Sequence, residues 1–265
     1  MPEAAPVKDY QTITLEIDAD VATLRLNRPD KMNALNTLMR AEITDAVTYA
    51  GRRARVVVLT GNGKAFCSGQ DLSDGGNATA LDLERVLRDE YVPMLRAITD
   101  CPVPTISAVN GPAAGAGANL ALAADVVIAT ERAYFLQAFT RIGLIPDAGG
   151  TYFLPRQMGS AKAMGAALFA EPISARQASD WGMIWEAVED DSFEAHWQAR
   201  AAHLAQGPSK TYGHVKAAIR GSWDNSMDSQ LDLEAKLQGA CGQSRDFKEG
   251  VMAFLEKRPA KFEGR

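Results

Sequence analysis

Apolar and polar residues alternate over residues 12–16 and again over 21–26, on either side of Asp18-Ala19-Asp20, which predicts two strands paired through a turn. Asn36 is placed to cap a helix running from residue 37 to about 50. The unbroken apolar run 56–59, closed by Gly61-Asn62-Gly63, reads as a buried strand, and 105–109 reads likewise. Between them the pattern is helical from about residue 81 to 98, with a kink expected at Pro93. A further strand is expected over 126–129. Ser174-Ala175-Arg176-Gln177 opens a helix that ends at Gly182. After Gly207-Pro208 three helices follow, over 210–221, 226–240 and 246–256, with Leu231, Leu233 and Leu237 at helical spacing. This recurrence of strands and helices is compatible with a spiral α/β core, and spacing alone leaves a doubly wound sheet equally open.

The length of 265 residues and an apolar content of 46% suit one large core, expected over residues 1–205, with a helical appendage over 206–265. A net charge of −5 without a basic tract argues against nucleic acid as a partner. No apolar run is long enough to span a bilayer, and the first residues lack a cationic and apolar leader, so a cytoplasmic protein is expected. Three widely spaced cysteines read as reduced thiols. Cys67 lies in a candidate site loop, but no histidine is near it in sequence, so it reads as a packing residue. His196 and His203 have no third ligand nearby and point to no metal. Gly115-Ala116-Gly117 lacks the third glycine of a dinucleotide fingerprint, and Gly61-Asn62-Gly63-Lys64 lacks the spacing of a phosphate loop. Neither cofactor nor metal is expected.

Candidate chemistry centres on Asp147, a lone carboxylate in the apolar, glycine-ended run Ile142-Gly143-Leu144-Ile145-Pro146-Asp147-Ala148-Gly149-Gly150. Apolar neighbours disfavour the charged form, so such a group can take up and return a proton near neutral pH. Alternatively it only caps the turn before Gly149. Two other segments bear on the choice. Lys64-Ala65-Phe66-Cys67-Ser68-Gly69-Gln70-Asp71-Leu72 follows one buried strand, and Asn110-Gly111-Pro112-Ala113-Ala114-Gly115-Ala116-Gly117-Ala118-Asn119-Leu120 carries another into an apolar helix. Small residues let a ligand reach the backbone, and the first N–H groups of a helix have no internal partner. One donor there and one from the Gly69-Gln70 turn would form an oxyanion hole.

Together these segments resemble the crotonase superfamily, the enoyl-CoA hydratase/isomerase family. The resemblance runs from Leu26-Asn27-Arg28-Pro29 and Asn33-Ala34-Leu35, through Gly149-Gly150-Thr151 and Leu154-Pro155-Arg156, to residues 249–258. It implies a spiral of strand-strand-helix units, with the C-terminal helices packed around a three-fold axis in a homotrimer or a pair of trimers. It also implies an acyl-CoA substrate whose thioester oxygen is held by the N–H groups of Gln70 and Ala116. Arg28, Ala34, Ala65, Ser68, Gly69, Asp71 and Leu72 match positions that hold the CoA thioester, as do Gly115, Asn119 and Phe139. Lys257 matches a position that reaches a CoA phosphate, though a solvated lysine fits equally.

Within the family, the residues facing the acyl group define the reaction. Hydratases carry two glutamates at the positions of Asn119 and Phe139, and neither of these side chains can activate water. Aryl-CoA dehalogenases share the loop aspartate but need a histidine between the two oxyanion segments. The histidines here, at 196, 203 and 214, all lie downstream. The remaining likeness is to isomerases of ring-epoxidised arylacetyl-CoA thioesters, which convert 2-(1,2-epoxy-1,2-dihydrophenyl)acetyl-CoA to an oxepin in phenylacetate degradation. It rests on 66–72, 113–118, 143–147, 181–185 and 230–234. It implies that Asp147 removes the proton next to the thioester and returns it to a ring carbon. A Δ3,Δ2-enoyl-CoA isomerase needs the same groups, a hydratase-like enzyme of the family is a further rival, and a non-catalytic acyl-CoA-binding subunit is the alternative of another class.

Overall fold

The computed structural model describes residues 8–74 and 82–264. Strand β1 (Ile13–Asp18) pairs antiparallel with β2 (Val21–Leu26), as the alternation predicts. The turn between them puts Ala19 and Asp20 at positive φ. Helix α1 (Thr37–Ala50) starts where expected, the Asn36 side chain accepting the Met39 N–H. Strand β3 (Val56–Gly61) is buried on both faces, as is β4 (Thr105–Val109), which explains their unbroken apolar runs.

Between these two strands the helical stretch runs unbroken from Leu83 to Thr99, as the pattern predicts, but with a π turn inside it. Helix α2 (Leu83–Val86) runs into a single π turn over Leu87–Tyr91 and then into α3 (Val92–Thr99). The wider turn, with the Val92 N–H on the Leu87 carbonyl, accommodates Pro93, which has no N–H and would crowd the preceding turn. Residue 81, where the pattern predicts the start of this helix, lies outside the described residues.

From β4 the chain crosses to a second sheet at β5 (Ala113–Ala114), enters α4 (Ala116–Leu122), and returns to the first sheet as β6 (Val126–Thr130). The next turn repeats the path: β7 (Tyr134–Leu136) lies in the second sheet, and α5 (Gly150–Phe169) follows. Strand β8 (Ile173–Ser174), α6 (Ala175–Asp180), β9 (Glu186–Val188) and α7 (Phe193–Ala205) complete the core. The large sheet has the order β1-β2-β3-β4-β6-β9, parallel from β2 onward, and the small one the order β5-β7-β8. A single bridge between Cys67 and Ala113 extends the small sheet toward the first turn. Alternate strands thus feed two sheets, which makes the core a spiral rather than a doubly wound sheet.

One core fills the space between the sheets and α1, α3 and α4. A smaller one lies on the far face of the large sheet, where Phe193, Trp197, Ala201 and Ala205 of α7 cover Val56, Val58, Ile106 and Ile128. Helix α5 has no clear sequence signal because it carries Pro155 and breaks at Gly159, whose φ of 80° and ψ of 158° are not helical.

The predicted C-terminal helices are present as α8 (Ser209–Gly221), α9 (Met227–Gly242) and α10 (Arg245–Glu256). Helix α8 docks on the core: Lys216 donates to the Cys101 and Val103 carbonyls and pairs with Asp125, as does Arg220. Arg55, just ahead of β3, ties Gly207, Ser209 and Phe262 to the same edge. Beyond that, α9 and α10 leave large apolar side chains in solvent, with Phe254 81% and Leu255 69% exposed. Among the described residues no helix is long and apolar enough to cross a membrane.

Candidate active site

The turn after β3 is pinned on both sides of the Gln70 peptide. The Leu35 N–H donates to the Gly69 carbonyl at 2.8 Å, and the Asp71 N–H donates to the Leu35 carbonyl at 3.0 Å. Gly69 takes φ +98°, a conformation that a side chain strongly disfavours. The Gln70 side chain turns inward, accepting from Arg40 at 2.9 Å and from the Tyr91 hydroxyl at 2.7 Å. Its backbone N–H has no acceptor among the described residues.

The second donor comes from the next turn of the spiral. Gly115, at φ 53° and ψ −128°, lets the chain bend sharply from β5 into α4, and Ala116 is the first helical residue. The Ala116 N–H likewise has no acceptor among the described residues. The two turns are in contact: the Ala114 N–H donates to the Cys67 carbonyl at 2.9 Å, and a Cβ placed on Gly69 would lie 3.4 Å from the Ala116 nitrogen. Two unsatisfied N–H groups on adjoining turns suit an oxygen that gains negative charge.

The third turn carries Asp147. A 3-10 turn over Ala138–Ile142 ends at Gly143, and Ala148 and Gly149, both at positive φ, turn the chain into α5. The Asp147 carbonyl accepts from the Gly150 N–H at 2.8 Å and from Asn119 Nδ2 at 2.7 Å. Its carboxyl oxygen Oδ1 is buried without a hydrogen-bond partner. Burial pushes this carboxyl up to about 6, against a smaller opposing pull from its own backbone N–H. A group in that range is ionised enough to remove a proton at neutral pH and basic enough to keep it briefly.

Phe139 is 7% exposed, and a Cβ on Gly115 would lie 3.9 Å from its ring edge, so a flat apolar surface adjoins the oxyanion turn. Asn119 differs from its expected place against the substrate. It is fully enclosed, with Nδ2 bonded to the Asp147 carbonyl and Oδ1 accepting from Gln137 at 2.9 Å.

Arg28, Ala34, Ala65 and Asp71 gather at the edge of the same turn. Arg28 donates to the Ala34 carbonyl and to Asp71 at 2.8 Å, and Asn33 donates to the Ala65 carbonyl at 2.9 Å. Burial opposes the charge on Asp71, but bonds from Ser73 and Arg28 outweigh it and hold the carboxyl below its usual range. It is therefore a fixed anion in a turn and a poor proton carrier. Ser68 and Leu72 are exposed beside it. Cys67 is enclosed, with its thiol on the Asn33 carbonyl at 3.1 Å and burial raising it to about 12, so it is a packing thiol and no nucleophile. Lys257 is exposed at the left-handed C-terminus of α10, which packs on α9.

Two residues at the site carry no sequence signal. Arg40, 1% exposed and ion-paired with Glu90, bonds the Leu35 carbonyl as well as Gln70. Tyr91, 3% exposed at the end of the π turn, sits under the Arg40 guanidinium and close enough to feel the charge of Asp147. Both lie in helices, where nothing local distinguishes a site residue from a core one.

The chain is similar to known proteins in sequence and in overall fold. The Enoyl-CoA hydratase/isomerase family profile matches residues 16–265. A Rhodobacter capsulatus protein named "Probable enoyl-CoA hydratase" is 62% identical over 97% of this chain and 99% of its own. The "1,2-epoxyphenylacetyl-CoA isomerase" of Escherichia coli is 45% identical over 96% of this chain and 98% of its own. The crystal structure of an enoyl-CoA hydratase from Bacillus anthracis superposes with a TM-score of 0.89 at 30% identity, over 96% of this chain and all of that one. With this family match over residues 16–265 and its spiral core, the chain belongs to the enoyl-CoA hydratase/isomerase family, the crotonase superfamily.

Proposed function

We propose that the protein is an isomerase of acyl-CoA thioesters, acting on a ring-epoxidised arylacetyl-CoA of the kind named for the Escherichia coli relative. The observation that carries this reading is a single half-buried carboxyl, Asp147, raised to about 6, alongside two unpaired N–H groups at Gln70 and Ala116. Asp147 takes the proton from the carbon next to the thioester carbonyl. The electron pair of the broken C–H bond moves onto the thioester oxygen, where the two N–H groups hold the enolate, each contributing roughly 3 kcal/mol in the transition state. The carbon–carbon bond shared by the epoxide and the six-membered ring opens, which widens the ring to the oxepin. The enolate electron pair shifts through the conjugated ring to form the new C–H bond as Asp147 returns the proton to a ring carbon. Substrate and product have the same composition, so no co-reactant and no cofactor beyond CoA is needed.

Arg28, Ala34, Ala65, Ser68, Gly69, Asp71 and Leu72 form the edge along which the CoA arm lies, and Gly115 and Phe139 adjoin the acyl group. Lys257 meets a CoA phosphate. Phe139 supports an aromatic acyl group, since ring–ring contact adds roughly 1 kcal/mol. The deciding measurement is kcat/KM for the ring-epoxidised arylacetyl-CoA against a linear 3-enoyl-CoA of similar size, with the arylacetyl substrate preferred. A clear preference for the linear compound would make the protein a Δ3,Δ2-enoyl-CoA isomerase with the same proton carrier. Thioester binding without solvent deuterium exchange at the α-carbon would make it a non-catalytic binding subunit.

The name of the Rhodobacter capsulatus relative points to hydration, which the site does not favour. Asn119 is an amide engaged at both ends, and Phe139 has no acid-base group. Hydration of crotonyl-CoA is expected to be negligible. Turnover near the enzyme median of roughly 10 per second would show that another residue activates water.

The same reading makes the protein a homotrimer or hexamer. The exposed Val251, Phe254 and Leu255 of α10 need a partner surface. Light scattering at micromolar concentration should give a trimer or hexamer mass, and a monomer would contradict the assembly. Three free cysteines, two of them buried, suit a cytoplasmic enzyme.

A further inference from the structure

The amide of Asn119 links the helix that starts at the donor Ala116 to the loop that carries Asp147. It lies in the first turn of α4, three residues after the donor Ala116 and so on the same helix face. Its Nδ2 bonds the Asp147 carbonyl at 2.7 Å. Its Oδ1 accepts at 2.9 Å from Gln137, two residues before Phe139. Gly150, next to this contact, has no room for a Cβ, which would strike the Asn119 amide. Asn119 is fully enclosed and Gln137 is 1% exposed. The outer oxygen of Gln137 is left without a partner, so the pair is kept in spite of an unsatisfied polar atom.

We propose that Asn119 is a positioning residue: it fixes the Asp147 backbone against the oxyanion helix, so that base and oxyanion donors keep one geometry. The role rests on Asp147 being the base, as proposed above. It gives a physical meaning to an amide at this position. A carboxylate there would set negative charge against the Asp147 carbonyl and donate nothing to it.

The titratable groups around the site allow a clean pH test. Cys67, from the oxyanion turn, and Tyr91, from the π turn, both have their ionisation raised by burial and stay neutral through the working range. Asp71 stays charged and paired with Arg28. In Asn119→Asp the introduced carboxyl is enclosed, which raises its pKa. While protonated it can replace the amide, donating to the Asp147 carbonyl and accepting from Gln137. Once ionised it cannot.

The experiment follows α-proton exchange of phenylacetyl-CoA in deuterium oxide by NMR, with thioester affinity measured alongside. Wild-type exchange should rise through about pH 6, where Asp147 ionises, and then level. Asn119→Ala should slow exchange by about 100-fold while affinity changes less than threefold. Asn119→Asp should be active at low pH and gain a falling limb as pH rises. Exchange in Asn119→Ala within threefold of wild type would overturn the role, as would an Asn119→Asp profile that superimposes on the wild-type one. The second variant is isosteric, so it decides the matter if Asn119→Ala does not fold. Absence of exchange in the wild-type protein would instead overturn Asp147 as the base, and the role of Asn119 with it.

Discussion

Asp147→Asn should lower isomerisation by on the order of 1,000-fold or more, while thioester affinity stays within a few-fold. Positioned acid-base groups contribute roughly 100- to 10,000-fold, and here one group both removes and returns the proton. The substitution keeps the shape of the side chain and leaves its backbone carbonyl to Asn119 and Gly150. A stability measurement separates lost chemistry from lost folding. The folded-state pKa of Asp147 is raised from 3.8 to about 6, so between those values the native state holds more protons than the unfolded chain. Its contribution to stability therefore falls as pH rises through that window and stays low above it. Asp147→Asn removes the ionisation and should melt higher than wild type at pH 7 to 8, with the gain vanishing near pH 4. Near-normal turnover in this variant would remove Asp147 from the mechanism.

The second large effect is expected at Gly69. A Cβ there would lie 2.8 Å from the Ala114 carbonyl, and φ of +98° is strained for any residue with a side chain. Gly69→Ala should therefore part the two oxyanion turns and swing the Gln70 N–H out of line. Loss of one such donor costs roughly 100- to 1,000-fold in kcat. Circular dichroism separates lost chemistry from lost folding: a spectrum that matches wild type while kcat collapses is the expected result. A kcat within threefold of wild type would show that the Gln70 N–H does not bind the developing charge.

Where periodicity and local chemistry suffice, the sequence is a good guide to this molecule. The hairpin of β1 and β2, the Asn36 cap, the enclosed strands and the three last helices all follow from patterns within a dozen residues. Strands β5, β7 and β8 do not, because two or three residues cannot show alternation and exist as strands only through their neighbours. The glycine-rich turns and the apolar setting of Asp147 were visible as candidate chemistry. Their mutual contact was not, since it depends on how successive spiral turns stack. Asn119 shows the same limit: its identity could be read, but its bonds to Asp147 and Gln137 join parts of the chain 28 and 18 residues away. Tyr91 and Arg40 were hidden altogether, as each sits in a helix that any apolar pattern would produce.

The two-sheet spiral also bears on how activity depends on the integrity of the fold. Each of its successive turns delivers one part of the site: Gln70 after β3, Ala116 after β5, Asp147 after β7. No contiguous fragment shorter than this span contains a working arrangement. The joining contacts, such as Cys67 to Ala114 and Asn119 to Asp147, form only when neighbouring turns have already stacked. Closing such distant contacts carries a chain-entropy cost before they return any stability, so the site is expected to form late in folding. On the proposed mechanism, an opening that frees any one of these turns would break the oxyanion hole or displace the base, and activity is expected to stop with it.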